Sequence, residues 1–274
     1  MIIARAQLAL LLATGSAALA CEPRLVVGEK MCPASDATTV PLATDTVAIN
    51  WTTGFEADFC DFTQTGGYCV EDKQASNQIV TSPVHDGQFA AAFTVDSTDG
   101  GGYQSRCVRQ GTLPSAAYYG AWFYFPALVQ NSRSWNLFHF RGGDASAVNT
   151  DAAGEEQAGD DVHSLWDVTL KNVGSNGDMQ AFVFDFFNMS EVDAAGPRSV
   201  PIGKWVHFQF YFKRAANATG RVQLYQDGVL LVDLANLITD DTTWGRWYVG
   251  DFSKGLMPPD STLYVDDVSI EDAL

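Results

Sequence analysis

The sequence predicts an all-β protein built as an antiparallel two-sheet β-sandwich. Three observations predict it. In Val206-His207-Phe208-Gln209-Phe210-Tyr211-Phe212-Lys213 every even-numbered residue is apolar and every odd one is polar or Tyr, which is the period of a strand with one buried face. Arg221-Val222-Gln223-Leu224-Tyr225 alternates likewise and runs into Asp227-Gly228 and then Val229-Leu230-Leu231-Val232, a hairpin with its favoured two-residue turn. Beyond the first twenty residues no run of apolar residues repeats at helical spacing, and Gly- and Asp-rich turns punctuate the chain. Many strands separated by such turns are the signature of a sandwich.

The elements follow in order. Residues 1–20 carry Arg5, an apolar run from Leu8 to Ala13 and small residues up to Ala20, the three-part layout of a secretory signal. The apolar run is too short for a bilayer of roughly 30 Å, and no later segment reaches the required length. Residues 21–48 are rich in Ala, Thr, Pro and Asp and read as a tether, leaving 49–274 for one sandwich domain. Strands are predicted over Phe89–Val95, Tyr118–Phe125, Trp135–Phe140, Ser164–Leu170, Met179–Phe186, Arg246–Phe252 and Leu263–Ile270. Gly142 to His163 holds six acids and no Phe, Tyr or Trp, which reads as a long solvated loop.

Charge and cysteines set the compartment and exclude partners. The net charge is −17, and removal of the leader, whose only charge is Arg5, makes the rest more negative. Such a field repels nucleic acid and anionic membrane surfaces, whose binding depends on clustered Lys and Arg. Cys21, directly after Ala20, suits an ordinary cleavage site and also resembles the lipobox of bacterial lipoproteins, where that Cys takes the lipid. Five cysteines are an odd number; assigning Cys21 to lipid leaves Cys32, Cys60, Cys69 and Cys107 for two disulfides in an oxidising compartment. Three pairings are open, with Cys60–Cys69 the easiest to form. The expected location is extracytoplasmic, either as a lipid-anchored cell-surface protein or secreted.

Six segments then appear in a familiar order: Gly54-Phe55-Glu56, Ser82 to Val95, Tyr118 to Pro126, Gly203 to Lys213, Gln226 to Leu234 and Leu263 to Ile270. Together they resemble the concanavalin A-like jelly rolls, among them heparin-lyase-type and alginate-lyase-type polysaccharide lyases, and they are similar to jelly-roll carbohydrate-binding modules. In those modules the Glu of the opening "FE" and an Asp of the closing "DDV" strand ligate a structural calcium. The resemblance implies Glu56 and Asp266, with Asp267 as alternate, and carbonyls of the Asp86-Gly87 turn would have to complete the oxygen shell.

The resemblance implies a polysaccharide partner, and two kinds of chemistry compete. A lyase needs a group that neutralises the uronate carboxylate, a base for the C5 proton and an acid for the departing oxygen. His139 and Arg141 share a face beside Trp135, where the lyases carry a Gln/His-bearing strand. Gln209, Tyr211 and Lys213 with Gln223 and Tyr225 form a second polar face. Catalysis requires His139, Arg141, Tyr211 and Lys213 to converge in one groove, with Gln209 beside them. Trp135, Arg106, Arg109, Gln223, Tyr225 and Arg246 are the ligand-contact candidates, and Trp122, Tyr124, Trp244 and Tyr248 offer further rings for pyranose stacking. The lyases' Arg-x-Glu-type motif is incomplete, since Tyr103 to Arg109 supplies Arg106 and Arg109 without the acid. That departure and the acidic surface put non-catalytic polysaccharide binding ahead of lyase activity, with a structural surface lipoprotein lacking a glycan ligand as the third reading. The Glu-x-Asp-x-x-Glu string of the glucanases is missing, which sets hydrolysis aside.

Overall fold

The computed structural model describes residues 50–64, 66–143 and 163–273. The leader, the tether with Cys21 and Cys32, and the interior of the acidic loop, residues 144–162, lie outside the described residues. Along the chain the elements are β1 (Trp51–Thr53), α1 (Cys60–Thr63), β2 (Gly67–Glu71), β3 (Ala75–Val80), β4 (Ala90–Asp96), β5 (Gly102–Gly111), β6 (Ala116–Tyr124) and β7 (Gln130–Gly143). They continue as β8 (His163–Val173), β9 (Asp178–Asp185), β10 (Ser190–Val192), β11 (Trp205–Lys213), β12 (Gly220–Gln226), β13 (Val229–Leu237), β14 (Trp244–Met257) and β15 (Asp260–Asp272).

The strands form two antiparallel sheets. One has eight strands in the order β13-β12-β11-β6-β15-β4-β3, with β1 also paired to β15; the other has seven, β10-β9-β8-β7-β14-β5-β2. The predicted jelly-roll sandwich is what the chain forms. No helix among the described residues is long and apolar enough to cross a membrane.

Two-residue periodicity builds the core. Phe208, Phe210 and Phe212 are fully buried, and Phe140 from the other sheet meets Phe210 at 5.0 Å and Phe212 at 5.1 Å between ring centroids. Tyr119 on β6 meets Trp247 on β14 edge-on at 5.0 Å. Each ring taken out of water contributes roughly 2–3 kcal/mol, so the facing rings hold the sheets together. The β12–β13 hairpin turns at Asp227 (φ 50°) and Gly228 (φ 73°), the two left-handed residues that a turn matched to strand twist requires.

Several register shifts interrupt the regular pairing, and two of them bear on the seven-stranded sheet's outer face. Strand β7 shifts register against β8 between Asn136 and Phe138, and β14 shifts against β7 between Val249 and Phe252. Simple alternation puts Trp135 on the face of His139 and Arg141. The shift turns Trp135 inward instead, where it is 1% exposed and stands perpendicular to Phe125 at 5.5 Å.

The expected Cys60–Cys69 pairing is corrected. Cys69 bonds to Cys107, because β2 and β5 bring these two residues into direct cross-strand register. Cys60 is itself disulfide-bonded.

Candidate active site

The two polar faces expected to form one groove do not converge. Gln209, Tyr211 and Lys213 lie on β11, with Gln223 and Tyr225 paired to them on β12, in the eight-stranded sheet. His139 and Arg141 lie on β7 in the seven-stranded sheet. Each set points away from the shared core, so the thickness of the sandwich separates them. Arg109 is displaced too: it points inward, 2% exposed, with its guanidinium 4.4 Å from the Trp51 ring.

On the outer face of the seven-stranded sheet, three adjacent strands bring together Arg106 (β5), Arg246 and Tyr248 (β14), and His139 and Arg141 (β7). Arg246 is the direct cross-strand partner of Arg141, and Tyr248 that of His139. Like charges placed opposite each other in a sheet are destabilising. Each of Arg246 and Arg106 indeed acts on Arg141 in the direction that disfavours its charge, added to the larger effect of burial.

Arg106 is anchored on several sides. Its guanidinium lies 4.2 Å from the centre of the Tyr248 ring and 5.0 Å from that of Phe252. Its Nε and Nη2 donate to Gln104 Oε1 at 2.9 and 2.5 Å, and its Nη1 stands 3.2 Å from His139 Nδ1. A guanidinium only donates, so Nδ1 is the acceptor and the proton of the neutral ring sits on Nε2, which reaches Ser164 Oγ at 2.9 Å. The His139 ring also stacks on Phe186, with 6.0 Å between centroids. Burial, with Arg106 and Arg141 adding to it, holds the imidazole well below its usual range. His139 is therefore neutral and committed at both nitrogens.

Asp167 on β8 is paired with His139. Its Oδ2 accepts from Asn136 Nδ2 at 2.6 Å, while Oδ1 has no hydrogen-bond partner. Burial lifts this carboxyl to about 8, against the pull of Arg106 and Arg141. Tyr68 on β2 lies beside Tyr248. Burial raises its phenol, Tyr248 adds to the effect, and Arg246 and Arg106 oppose it. A concentration of strongly shifted groups of several kinds is a feature that functional sites share with buried ion networks.

Sequence reasoning named Arg106, His139, Arg141 and Arg246 here and took Tyr248 only as a stacking ring. It missed Tyr68, Gln104, Asn136 and Asp167. Asp167 carried a signal, being the lone acid of its strand and set between Trp166 and Val168. The others carried none.

The expected calcium ligands sit elsewhere and do not fit the ion as placed. Glu56 Oε1 accepts from the backbone N–H groups of Gln88 and Phe89 at 2.7 and 3.1 Å. Asp266 Oδ2 accepts from those of His85 and Asp86 at 2.9 and 3.3 Å, and Asp267 Oδ2 meets His85 Nδ1 at 2.6 Å. The 85–89 turn thus presents N–H donors where a cation needs carbonyl oxygens. Among the described residues no group of three or more His, Cys, Asp or Glu is arranged to hold a metal.

A family model described as "Polysaccharide lyase" matches residues 52–269. Among solved structures, the chain is similar to an endo-β-1,4-glucuronan lyase from the fungus Trichoderma reesei, at 18% identity over 75% of this chain and 90% of that one, with a TM-score of 0.55. It is also similar to a mutant of alginate lyase Aly36B in complex with alginate tetrasaccharide, at 16% identity over 82% and 95% of the two chains, with a TM-score of 0.51. No curated protein matches the chain.

Proposed function

The chain belongs to the polysaccharide lyase family, and we propose that it cleaves a uronic-acid polysaccharide by β-elimination on the outer face of the seven-stranded sheet. The observation that carries this reading is the convergence of Arg106, Arg141 and Arg246 on adjacent strands of a chain whose net charge is −17. Three guanidinium groups gathered on one face favour an anion held there. A uronate carboxylate laid on them has its charge offset, and the proton at C5 becomes more acidic.

Tyr248, reacting as its phenolate with Arg106 laid across its ring, takes that proton and becomes a neutral phenol. The C5–H electron pair becomes the C4–C5 double bond as the C4–O bond breaks, and the neighbouring Tyr68, kept protonated by burial, supplies a proton to the departing oxygen. His139 is a positioning residue that accepts from Arg106. The names of the similar structures, a glucuronan lyase and an alginate lyase, support the substrate class. The order drawn from sequence, with binding ahead of catalysis, is reversed by the family, and the missing acid beside Arg106 does not outweigh it.

Soluble glucuronan and alginate are the test. The purified chain is expected to raise the ultraviolet absorbance of unsaturated sugar ends on at least one of them, and Tyr248→Phe is expected to lower that rate by about 10²-fold or more. A chain that cleaves no uronan overturns the reading.

We further place the protein outside the cytoplasm, as a lipid-anchored or secreted enzyme. The leader-like first twenty residues support this, as does the Cys69–Cys107 bond, since disulfides persist in oxidising compartments. The mass of the processed chain tests lipidation at Cys21.

A further inference from the structure

The opposite face of the sandwich has a site of its own. A cavity of about 550 Å³ opens on the eight-stranded sheet, lined among others by His85, Trp122, His207, Asp267, Ser269 and Glu271. Gly120 makes room for it: a Cβ there would come within 3.0 Å of both His207 Nε2 and Ser269 Oγ. Trp122 forms one wall and is held by two imidazoles, with His85 stacked at 3.8 Å and His207 at 5.1 Å between centroids.

Beyond Gly120 the same sheet face carries further rings. Strand register places Glu271, Tyr118 and Tyr211 in one row across β15, β6 and β11. Tyr118 lies 5.0 Å from Tyr211 and 6.3 Å from Tyr225 between ring centroids. From Trp122 to Tyr118 is four residues of strand, about 13 Å, longer than one pyranose ring. Tyr118, Tyr211 and Tyr225 offer partly exposed aromatic faces, which suit the apolar C–H faces of sugars, and the strip adds oxygen acceptors for hydroxyl groups. Its carboxylates, Asp86, Asp267 and Glu271, repel an anionic chain.

We propose that this strip is a second, non-catalytic glycan site that binds a neutral, hydroxyl-rich polysaccharide, on the face opposite the arginine cluster. The proposal does not rest on the lyase reading. It divides the labour: a neutral chain held on one side keeps the opposite groove near a uronan in the same matrix.

Native affinity electrophoresis in gels containing hydroxyethylcellulose, laminarin or galactomannan tests it. At least one of these is expected to retard the chain, and Tyr211→Ala and the isosteric, exposed Glu271→Gln are each expected to weaken retardation at least fivefold. Tyr248→Phe in the groove is expected to be retarded like the unaltered chain. No retardation by any of the three glycans overturns the proposal. So does retardation that survives both Tyr211→Ala and Glu271→Gln, or that disappears in Tyr248→Phe. Uronan cleavage is read separately on the same samples, so failure of one site does not mask the other.

Discussion

The lone pair that a general base would use on His139 is already occupied by Arg106. An amide side chain can reproduce both of its contacts, accepting from Arg106 and donating to Ser164. His139→Asn is therefore expected to keep activity within about tenfold, whereas His139→Ala loses about 10²-fold, and the Asn variant's pH–rate profile should match that of the unaltered chain. An alkaline shift or a lost limb in that profile would make His139 a proton carrier instead. Asp251 shows the opposite relation of acid to surroundings. It is fully buried, neither oxygen has hydrogen-bond geometry to a partner, and burial raises its carboxyl to about 7, though Ser253 and Trp135 lie close enough to act on it in the other direction. A folded-state value above the unfolded one means that the cost of the charge is absent below about pH 4, grows until about pH 7, and is constant above. Asp251→Asn is accordingly expected to be more stable than the unaltered chain by about 2–4 kcal/mol at pH 8, with the gain gone by pH 4; an equal effect at both pH values in denaturant titrations would refute the buried charge. Asp167's place between Trp166 and Val168 hinted at burial, but nothing in the sequence revealed its partners or the environment of Asp251. Their environments come from strands distant in sequence, which is why the acids of the site were harder to read than its arginines.

At the scale of elements, alternation identified the strands that carry the core. The stretch predicted as Val206–Lys213 is Trp205–Lys213, and Phe208, Phe210 and Phe212 are as buried as the pattern requires. It failed where a strand stops alternating. The register shift in β7 turned Trp135 inward, and the Cys60–Cys69 expectation ignored that β2 pairs with β5. Short edge strands such as β10 and the one-turn helix α1 left no periodic trace. The shift in β14 centres on Gly250, whose φ is +137°; a Cβ there would come within 2.7 Å of Arg106 Cα and of Ser105 O. Gly250→Ala is thus expected to cost about 2 kcal/mol or more and to displace Arg106 along with its strand. The check is a lower melting temperature together with a loss of lyase rate larger than the fraction unfolded explains.

Across the whole molecule, two sheets with one core present two outward faces of opposite character, one set with arginines and phenols, the other with rings and carboxylates. Sequence spacing grouped His139, Arg141, Tyr211 and Lys213 because their residue types fit one reaction; sheet assignment, which depends on long-range pairing, divides them. The Cys69–Cys107 bond fastens edge strand β2, and with it Tyr68, to β5. Its removal by Cys69→Ser with Cys107→Ser is expected to lower stability by about 2–4 kcal/mol, given a loop of 38 residues, and to reduce activity before the sandwich melts; unchanged activity would show that Tyr68 needs no such tether. Chemistry confined to the arginine face predicts different fates for substitutions on the two faces. The most direct measurement compares the release of unsaturated ends from glucuronan and alginate by Tyr248→Phe and by Lys213→Ala, one substitution on each face. Loss of cleavage in Tyr248→Phe with full cleavage in Lys213→Ala is the expected result, and the reverse would contradict it.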